Sequence, residues 1–195
     1  MSKATGGTFT VTSGGKTSAP LPHDATPAQI AAAIPKGRPL IPKGGDDRVY
    51  TPDALAAAIV AHFEPSGRTL DPCRGKRAFS RCMPDCDFCE LDEGLDFLKI
   101  KVSKRYDWIV TNPPWGKFRP FLIHAMRSAE NVVYLVTVNH FFTKARVRDM
   151  DEACFGLVEI LYVDTPPKPW PQSGFQVAAV HIRRGYAGPV KIGRL

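Results

Sequence analysis

The sequence predicts an α/β protein in which helices flank a doubly wound, mostly parallel sheet within a single domain. Short apolar segments typical of buried strands alternate with segments whose apolar residues recur at helical spacing. Polar residues directly follow several of the apolar segments, as expected at the ligand-binding edge of such a sheet. With 195 residues and 44% hydrophobic residues, the chain is long enough for one domain with a substantial core.

The predicted elements begin shortly after residue 46. Thr51 is predicted to cap a helix and Pro52 to be its first residue, and Leu55, Ile59 and Phe63 fall on one face. The elements expected next are a strand ending at Asp71, strands at 86–90 and 108–110, a helix at 118–129 with Phe121, Leu122 and Ala125 inward, a strand at 131–138, a helix at 143–153 and strands at 157–163 and 175–182.

The first 45 residues differ in composition from the rest. Residues 1–45 are rich in Gly, Thr, Pro, Lys and Ala, and we expect a flexible basic arm with one short helix at 26–34, followed by the folded domain at 46–195. The sequence contains no apolar run of about eighteen residues and no signal-peptide core at its start, so we expect no membrane span and a cytoplasmic protein.

Positive charge dominates the sequence. The formal net charge is +7, and the basic residues cluster at 36–48, 74–81, 99–105, 144–148 and 183–194. A basic protein of this size suits a polyanion such as nucleic acid, although a generic basic surface is the alternative and charge alone does not separate DNA from RNA.

Five cysteines raise the alternative of a zinc site. Cys73, Cys82, Cys86 and Cys89 lie close together in sequence. Cys86 and Cys89 would point to opposite faces of the predicted strand, however. We therefore expect reduced core cysteines and no metal.

The segment from Trp108 to Trp115 carries the strongest chemical signal. A buried strand runs into Asn112, and Pro113 and Pro114 fix two φ angles and bias Asn112 away from helix. The turn thereby offers rigid acceptors beside a flat ring. A planar base with an amino group fits this arrangement: its NH2 donates to the Asn112 side-chain oxygen and the Pro113 carbonyl, and its face stacks on Trp115. An unspecialised surface turn is the alternative.

These four residues resemble the (Asn/Asp)-Pro-Pro-aromatic motif of the S-adenosylmethionine-dependent amino-methyltransferases. That family has a Rossmann-like class I fold with an antiparallel last strand, and it modifies adenine N6, cytosine N4 or, in some branches, a protein glutamine or an RNA guanine. The resemblance is strong over residues 46–115. Through Gln176 it extends more loosely to small phage-type DNA methyltransferases, which implies the cytoplasm of a bacterial or phage-infected cell.

The stretch at 68–79 resembles the family's cofactor motif. The resemblance implies that Asp71 accepts from the methionine amino group, that Pro72 and Cys73 lead into a turn where Gly75 lets the cofactor approach, and that Phe79 packs beside it. The chain departs from the pattern at Arg77, where the family has a second glycine. That side chain either crowds the cofactor or leans outward.

Three further elements complete the resemblance. Tyr50, Thr51 and Pro52 match the segment that closes over the methionine end of the cofactor. Glu90, with Asp92 as its rival, would bind the ribose hydroxyls. Asp96 and Phe97 would hold the adenine through its amino group and ring face. A solvated acidic turn is the alternative for residues 90–93.

The function that the resemblance implies is methyl transfer from S-adenosylmethionine to an exocyclic amine of a nucleic-acid base. Adenine N6 in DNA is favoured because Trp115 offers a wide face for a purine. Cytosine N4, an RNA base, a protein glutamine and a non-catalytic nucleic-acid-binding protein on the same fold, suggested by Arg77, are the alternatives. No separate target-recognition domain is evident, so a homodimer or a specificity partner is a further expectation.

Overall fold

The computed structural model describes residues 49–172 and 174–195, together with residues 8–9, 12–13, 16–17, 19, 21–22 and 29. The chain divides into two units, Met1–Asp46 and Asp47–Leu195. In the first unit, Thr8–Phe9 pairs antiparallel with Leu21–Pro22, and Thr12–Ser13 pairs antiparallel with Lys16–Thr17. The rest of the predicted arm, and its predicted helix apart from residue 29, lie outside the described residues.

A seven-stranded sheet forms the centre of the second unit. Its strands are β1 (Thr69–Asp71), β2 (Asp87–Phe88), β3 (Tyr106–Thr111), β4 (Ala129–Thr137), β5 (Phe155–Tyr162), β6 (Val177–Arg184) and β7 (Lys191–Arg194). Their spatial order is β7-β5-β6-β4-β3-β1-β2. Strand β6 is antiparallel to both of its neighbours, and every other adjacent pair in this sheet is parallel.

Helices cover both faces of the sheet. They are α1 (Asp53–Phe63), α2 (Phe118–Ser128) and α3 (Lys144–Glu152), and short 3-10 turns occur at Ser80–Cys82, Leu91–Glu93, Phe97–Lys99, Trp115–Lys117 and Val138–His140. Leu122 of α2 packs in one core cluster with Ile109 of β3. On the other face, Ile59 of α1 packs with Val110 and Val133. None of the helices within the described ranges is long and apolar enough to cross a membrane.

The strand order reverses between β1 and β3. The chain leaves β1 to form β2 on one side and then returns to form β3 on the other. In parallel sheets this switch point opens a crevice at the carboxyl ends of the two strands, because the connections leave in opposite directions. Asp71 ends β1 and Asn112 directly follows β3, so both residues lie at this crevice.

The predicted α/β class, the mostly parallel sheet and the antiparallel arrangement of the strand near residue 180 are confirmed. The predicted cap of α1 was wrong by one residue: Pro52 is the N-cap, because its ψ of 138° is extended and the helix begins at Asp53. The second strand is shorter than predicted, at two residues, because Glu90 already caps the 3-10 turn that follows. Strand β7 was not predicted.

Candidate active site

A surface depression opens at the switch point. Its volume is about 290 Å³, including the part open to solvent, and it is lined by Val49, Tyr50, Thr51, Cys73, Arg74, Gly75, Lys76, Ala78, Phe79 and Asn112. The structure therefore brings together three segments that lie far apart in sequence: the approach to α1, the turn after β1 and the residue after β3.

Asp71 lies fully buried at the end of β1. Its Oδ1 accepts hydrogen bonds from Thr111 Oγ1 at 2.8 Å and from the Cys73 amide at 3.4 Å, whereas Oδ2 has no partner within the described part of the chain. Burial raises the pKa of Asp71 to about 7, against the opposing effect of these hydrogen bonds. A buried acceptor without a donor is costly, so a donor from a bound ligand would stabilise this carboxylate.

The turn after β1 contains two residues with positive φ. Gly75 has φ 46° and Arg77 has φ 68°. Arg77 thus adopts a backbone conformation that favours glycine, and its exposed side chain is outside the lining of the depression.

Gly75 contacts two other predicted cofactor residues. A Cβ at this position would lie 3.1 Å from Cδ1 of Tyr50, so the ring of Tyr50 lies directly against the turn. The Gly75 amide donates to Glu90 Oε2 at 2.7 Å. Asp92, the other candidate for the ribose hydroxyls, is exposed, and its backbone amide donates to Glu90 Oε1 at 3.3 Å. Of these two candidates for the ribose hydroxyls, Glu90 is therefore the one whose side chain contacts a lining residue.

The remaining predicted cofactor residues are less close to the depression. Asp96 caps a 3-10 turn by accepting from the Leu98 amide at 3.1 Å, and it pairs with Lys99 at 3.4 Å. Phe97 is 1% exposed, with its ring centroid 5.5 Å from that of Phe121 in the core. Pro52 and Pro72 also lie outside the lining. The structure does not bring Asp96 and Phe97 to the depression, and Phe97 would have to leave the core to stack on a ligand.

The Asn112 amide is held in one orientation. Its Nδ2 donates to the Val49 carbonyl at 2.9 Å, which leaves Oδ1 as the acceptor atom of the amide. Pro113 is buried, and the Pro114 carbonyl accepts from the Lys117 amide at 2.9 Å in the turn that follows. Val49, in the segment before α1, therefore fixes the orientation of the Asn112 amide in the turn after β3.

Trp115 is half-buried and held from several sides. Its Nε1 donates to the Leu135 carbonyl at 3.3 Å. Trp170 meets its ring edge to face, with 5.9 Å between centroids, and the ring of His140 lies 5.7 Å away. These contacts fix the indole plane, which leaves only part of its surface accessible to another ring.

Trp170 and His140 were not identified from the sequence. Trp170 lies in the proline-rich link at 165–171, yet it is 3% exposed and donates from Nε1 to the Tyr50 carbonyl at 3.0 Å. A large aromatic residue within the proline-rich segment was the available signal. His140, tied through Nδ1 to Thr137 Oγ1 at 2.8 Å, had no distinguishing sequence signal.

The cysteines are free thiols. Burial raises the pKa of Cys73 well above its usual value, and it raises the pKa of Cys86 and of Cys89 to about 11. No group of three or more His, Cys, Asp or Glu side chains suited to a metal ion occurs among the residues with described positions. The raised pKa values favour the protonated thiols of Cys73, Cys86 and Cys89 at neutral pH.

Comparison with known proteins gives no match to a family model and no match among curated proteins. Solved structures do match. A Listeria monocytogenes protein, described as a class I S-adenosylmethionine-dependent methyltransferase, aligns with a TM-score of 0.57 at 13% identity, covering 78% of this chain and 68% of that one. The 23S rRNA methyltransferase ErmE aligns with a TM-score of 0.52 at 17% identity, covering 72% and 73%.

A modification subunit from Vibrio vulnificus, described as part of a type I restriction enzyme, aligns with a TM-score of 0.52 at 17% identity. The match covers 76% of this chain but 46% of the subunit, so the chain spans about half of that protein's length. At these identities the matches show the fold. The chain has the class I methyltransferase fold, and Asp71 and Asn112 lie at the ends of the two strands that flank its switch point.

Proposed function

We propose that the protein transfers a methyl group from S-adenosylmethionine to an exocyclic amino group of a nucleic-acid base, with adenine N6 in DNA as the favoured target. The observation that carries this proposal is the position of Asn112. Its oriented amide belongs to an Asn-Pro-Pro-Trp turn and also lines the depression formed by the turn after β1. Asn112 Oδ1 would therefore accept a hydrogen bond from a target amine close to a methyl donor bound in the depression.

The residues around the depression fit the proposed cofactor. Asp71, which has a carboxylate oxygen without a partner in the described chain, would accept from the amino group. Glu90, which accepts from the Gly75 amide, would bind the ribose hydroxyls. The turn at Gly75, against which the ring of Tyr50 lies, would face the cofactor. Tyr50, Thr51, Cys73 and Phe79 would supply lining contacts. We do not assign the adenine to Phe97, because its ring lies in the core. When bound, S-adenosylmethionine would supply an activated methyl group on a sulfonium.

The chain's own groups would act on the nucleophile. An exocyclic amine is a weak nucleophile because its lone pair is delocalised into the ring. Acceptance of its two hydrogens by Asn112 Oδ1 and the Pro113 carbonyl favours a more tetrahedral nitrogen with a directed lone pair. Transfer would form the N–C bond as the S–C bond breaks, the demethylated thioether would leave, and the nitrogen would then lose one proton to solvent. Positioning supplies most of the acceleration. In duplex DNA the target base must first leave the stack, and Trp115 would then contact its face.

The charge of the protein supports a nucleic-acid partner. Several arginines are already neutralised within the chain, as in the bidentate pair of Arg119 with Asp149. Exposed lysines such as Lys101, Lys104 and Lys117 add to the net charge of +7. Phosphate contacts by such residues release counterions, so affinity for nucleic acid should fall steeply as salt is raised. Binding that is independent of salt, or none to any nucleic acid, contradicts this part of the proposal.

The decisive experiment is incubation with methyl-labelled S-adenosylmethionine and, separately, DNA, RNA and protein, followed by digestion and mass analysis of the modified unit. Methyl-adenine from DNA is the expected product, and the Asn112→Ala variant serves as the inactive control. Methyl-cytosine would correct the base. Label found only in RNA or protein would overturn the DNA assignment, and cofactor binding without transfer to any substrate would favour a non-catalytic binding protein.

A further inference from the structure

Lys76 is a cation at the mouth of the depression, and its role is not explained by the contacts that build the fold. The lining contains two basic side chains, Arg74 and Lys76. Arg74 is 9% exposed, forms an ion pair with Glu93, and stacks its guanidinium 3.5 Å from the ring centroid of Phe88. Lys76 is exposed, and within the described ranges its ammonium makes no ion pair with a carboxylate.

The ammonium of Lys76 lies near the ring of Tyr50, and both residues line the depression. Its Nζ lies 4.7 Å from the ring centroid of Tyr50, a cation–π distance. The Tyr50 carbonyl is bonded to Trp170, and the Lys76 carbonyl accepts from Arg81 Nη2 at 2.5 Å. Both backbones are therefore fixed, and only the flexible lysine side chain has freedom to reach a ligand.

The proposed cofactor has an amino-acid end with two opposite charges. In the proposed function the ammonium is assigned to Asp71, which ends β1 at the base of the same turn. The carboxylate needs a donor, and a charge-assisted hydrogen bond is the strongest that a side chain can provide. Arg74 is already committed to Glu93, so Lys76 is the cation of the lining that is available for this carboxylate.

We propose that Lys76 binds the carboxylate of the amino-acid end of S-adenosylmethionine and thereby selects for ligands that carry it. This inference rests on the proposed function and adds a specificity-determining residue to it. The adjacent Arg77 carries the same charge and is exposed, but it is not among the residues that line the depression. The chain therefore offers a control for any general effect of positive charge at this turn.

The test compares two ligands that differ only in the carboxylate, S-adenosylmethionine and decarboxylated S-adenosylmethionine. Affinity is measured calorimetrically on the full chain without nucleic acid. Lys76→Met should weaken binding of S-adenosylmethionine by about ten-fold, the lower range for a hydrogen bond to a charged group because the site is open to solvent. It should leave binding of the decarboxylated ligand unchanged. Lys76→Arg should restore most of the affinity, and Arg77→Met should bind like the wild type.

The outcomes separate this inference from the proposed function. If the wild type binds S-adenosylmethionine but Lys76→Met weakens both ligands equally, or neither, the role of Lys76 is overturned and the function stands. Equal losses in Lys76→Met and Arg77→Met would also overturn it, because general charge would then explain the effect. If the wild type binds neither ligand, the proposed function itself fails. Thermal unfolding of each variant confirms that the loss is not a folding defect.

Discussion

The two strand ends that flank the switch point are built in different ways. On the β1 side, Asp71 has a buried oxygen without a partner in the described chain, and its pKa is raised to about 7. On the β3 side, Asn112 and Trp115 are bonded to the backbone of Val49 and Leu135. The first side holds polar groups that a ligand would satisfy, and the second is already organised by the protein. Ligand binding should therefore alter the β1 side more than the β3 side.

Asn112→Ala tests the β3 side and should have the largest effect. Loss of the oriented acceptor should reduce methyl transfer by at least about 1,000-fold, equal to about 4 kcal/mol. Cofactor affinity should change little, because Asn112 is proposed to act on the nucleophile. Single-turnover rates and calorimetry measure the two quantities separately. A parallel loss of cofactor affinity would show that the two sides are not independent.

Asp71→Asn tests the β1 side through pH. The folded pKa of Asp71 is about 7, above its usual value of 3.8. Between these values the unfolded state is ionised while the folded state keeps its proton, so unfolding releases a proton. Asp71 should therefore lower the free energy of unfolding as pH rises, by about 3 kcal/mol between pH 5 and pH 8.

Denaturant titrations of wild type and Asp71→Asn should reveal this slope as a difference between the two proteins. The comparison between the two proteins is needed because His181 has the opposite effect on the pH dependence of stability. Burial lowers the pKa of His181 to about 4, so its contribution makes the free energy of unfolding fall as pH decreases below about 6.5. Identical slopes in the two proteins would contradict the raised pKa of Asp71.

Trp115→Ala should weaken binding of the nucleic-acid target by about 1–3 kcal/mol if the ring stacks on a base. The change also removes the contact with Trp170, so Trp115→Phe serves as a control that retains an aromatic face. Fluorescence anisotropy with labelled oligonucleotides measures the affinity. Unchanged binding by Trp115→Ala, with an unfolding midpoint that falls, would assign Trp115 a structural role alone.

Arg77→Gly should have the smallest effect. It removes a left-handed conformation that costs a non-glycine residue about 1–2 kcal/mol, and it adds about 0.5–1 kcal/mol of unfolded-state entropy, so we expect a net gain near 0.5–1 kcal/mol. Cofactor affinity should stay the same because the Arg77 side chain does not line the depression. Tighter binding would show that the arginine obstructs the site. Glu64→Gly, at the left-handed cap of α1, is a matched control for the backbone effect.

The strands and helices of the folded domain were predictable because the central strands are apolar and because apolar residues recur at helical spacing in the helices. Strand β7 escaped prediction because it lies at the edge, largely exposed, with a sequence from Lys191 to Arg194 that is too polar to suggest burial. The short second strand follows from an early turn at Glu90, where a side-chain cap outweighs strand propensity.

Site residues that belong to local motifs were easier to predict than those that depend on distant contacts. Gly75 and Asn112 stand in recognisable patterns and both line the depression. The bond between Trp170 and Tyr50 joins residues 120 positions apart, which no local pattern reveals. Phe97 shows the reverse case: its motif suggested a ligand contact, while its apolar ring packs in the core against Phe121.

The position of the antiparallel strand β6 between β4 and β5 affects how the chain folds during synthesis. Strand β5 hydrogen-bonds only to β6 and β7 in the described sheet, and both follow it in sequence. A nascent chain that has passed residue 162 therefore carries a strand whose neighbours have not yet been synthesised. Since the sheet closes only after residues 177–184 insert between β4 and β5, we expect late, cooperative folding and a need to shield β5 during translation.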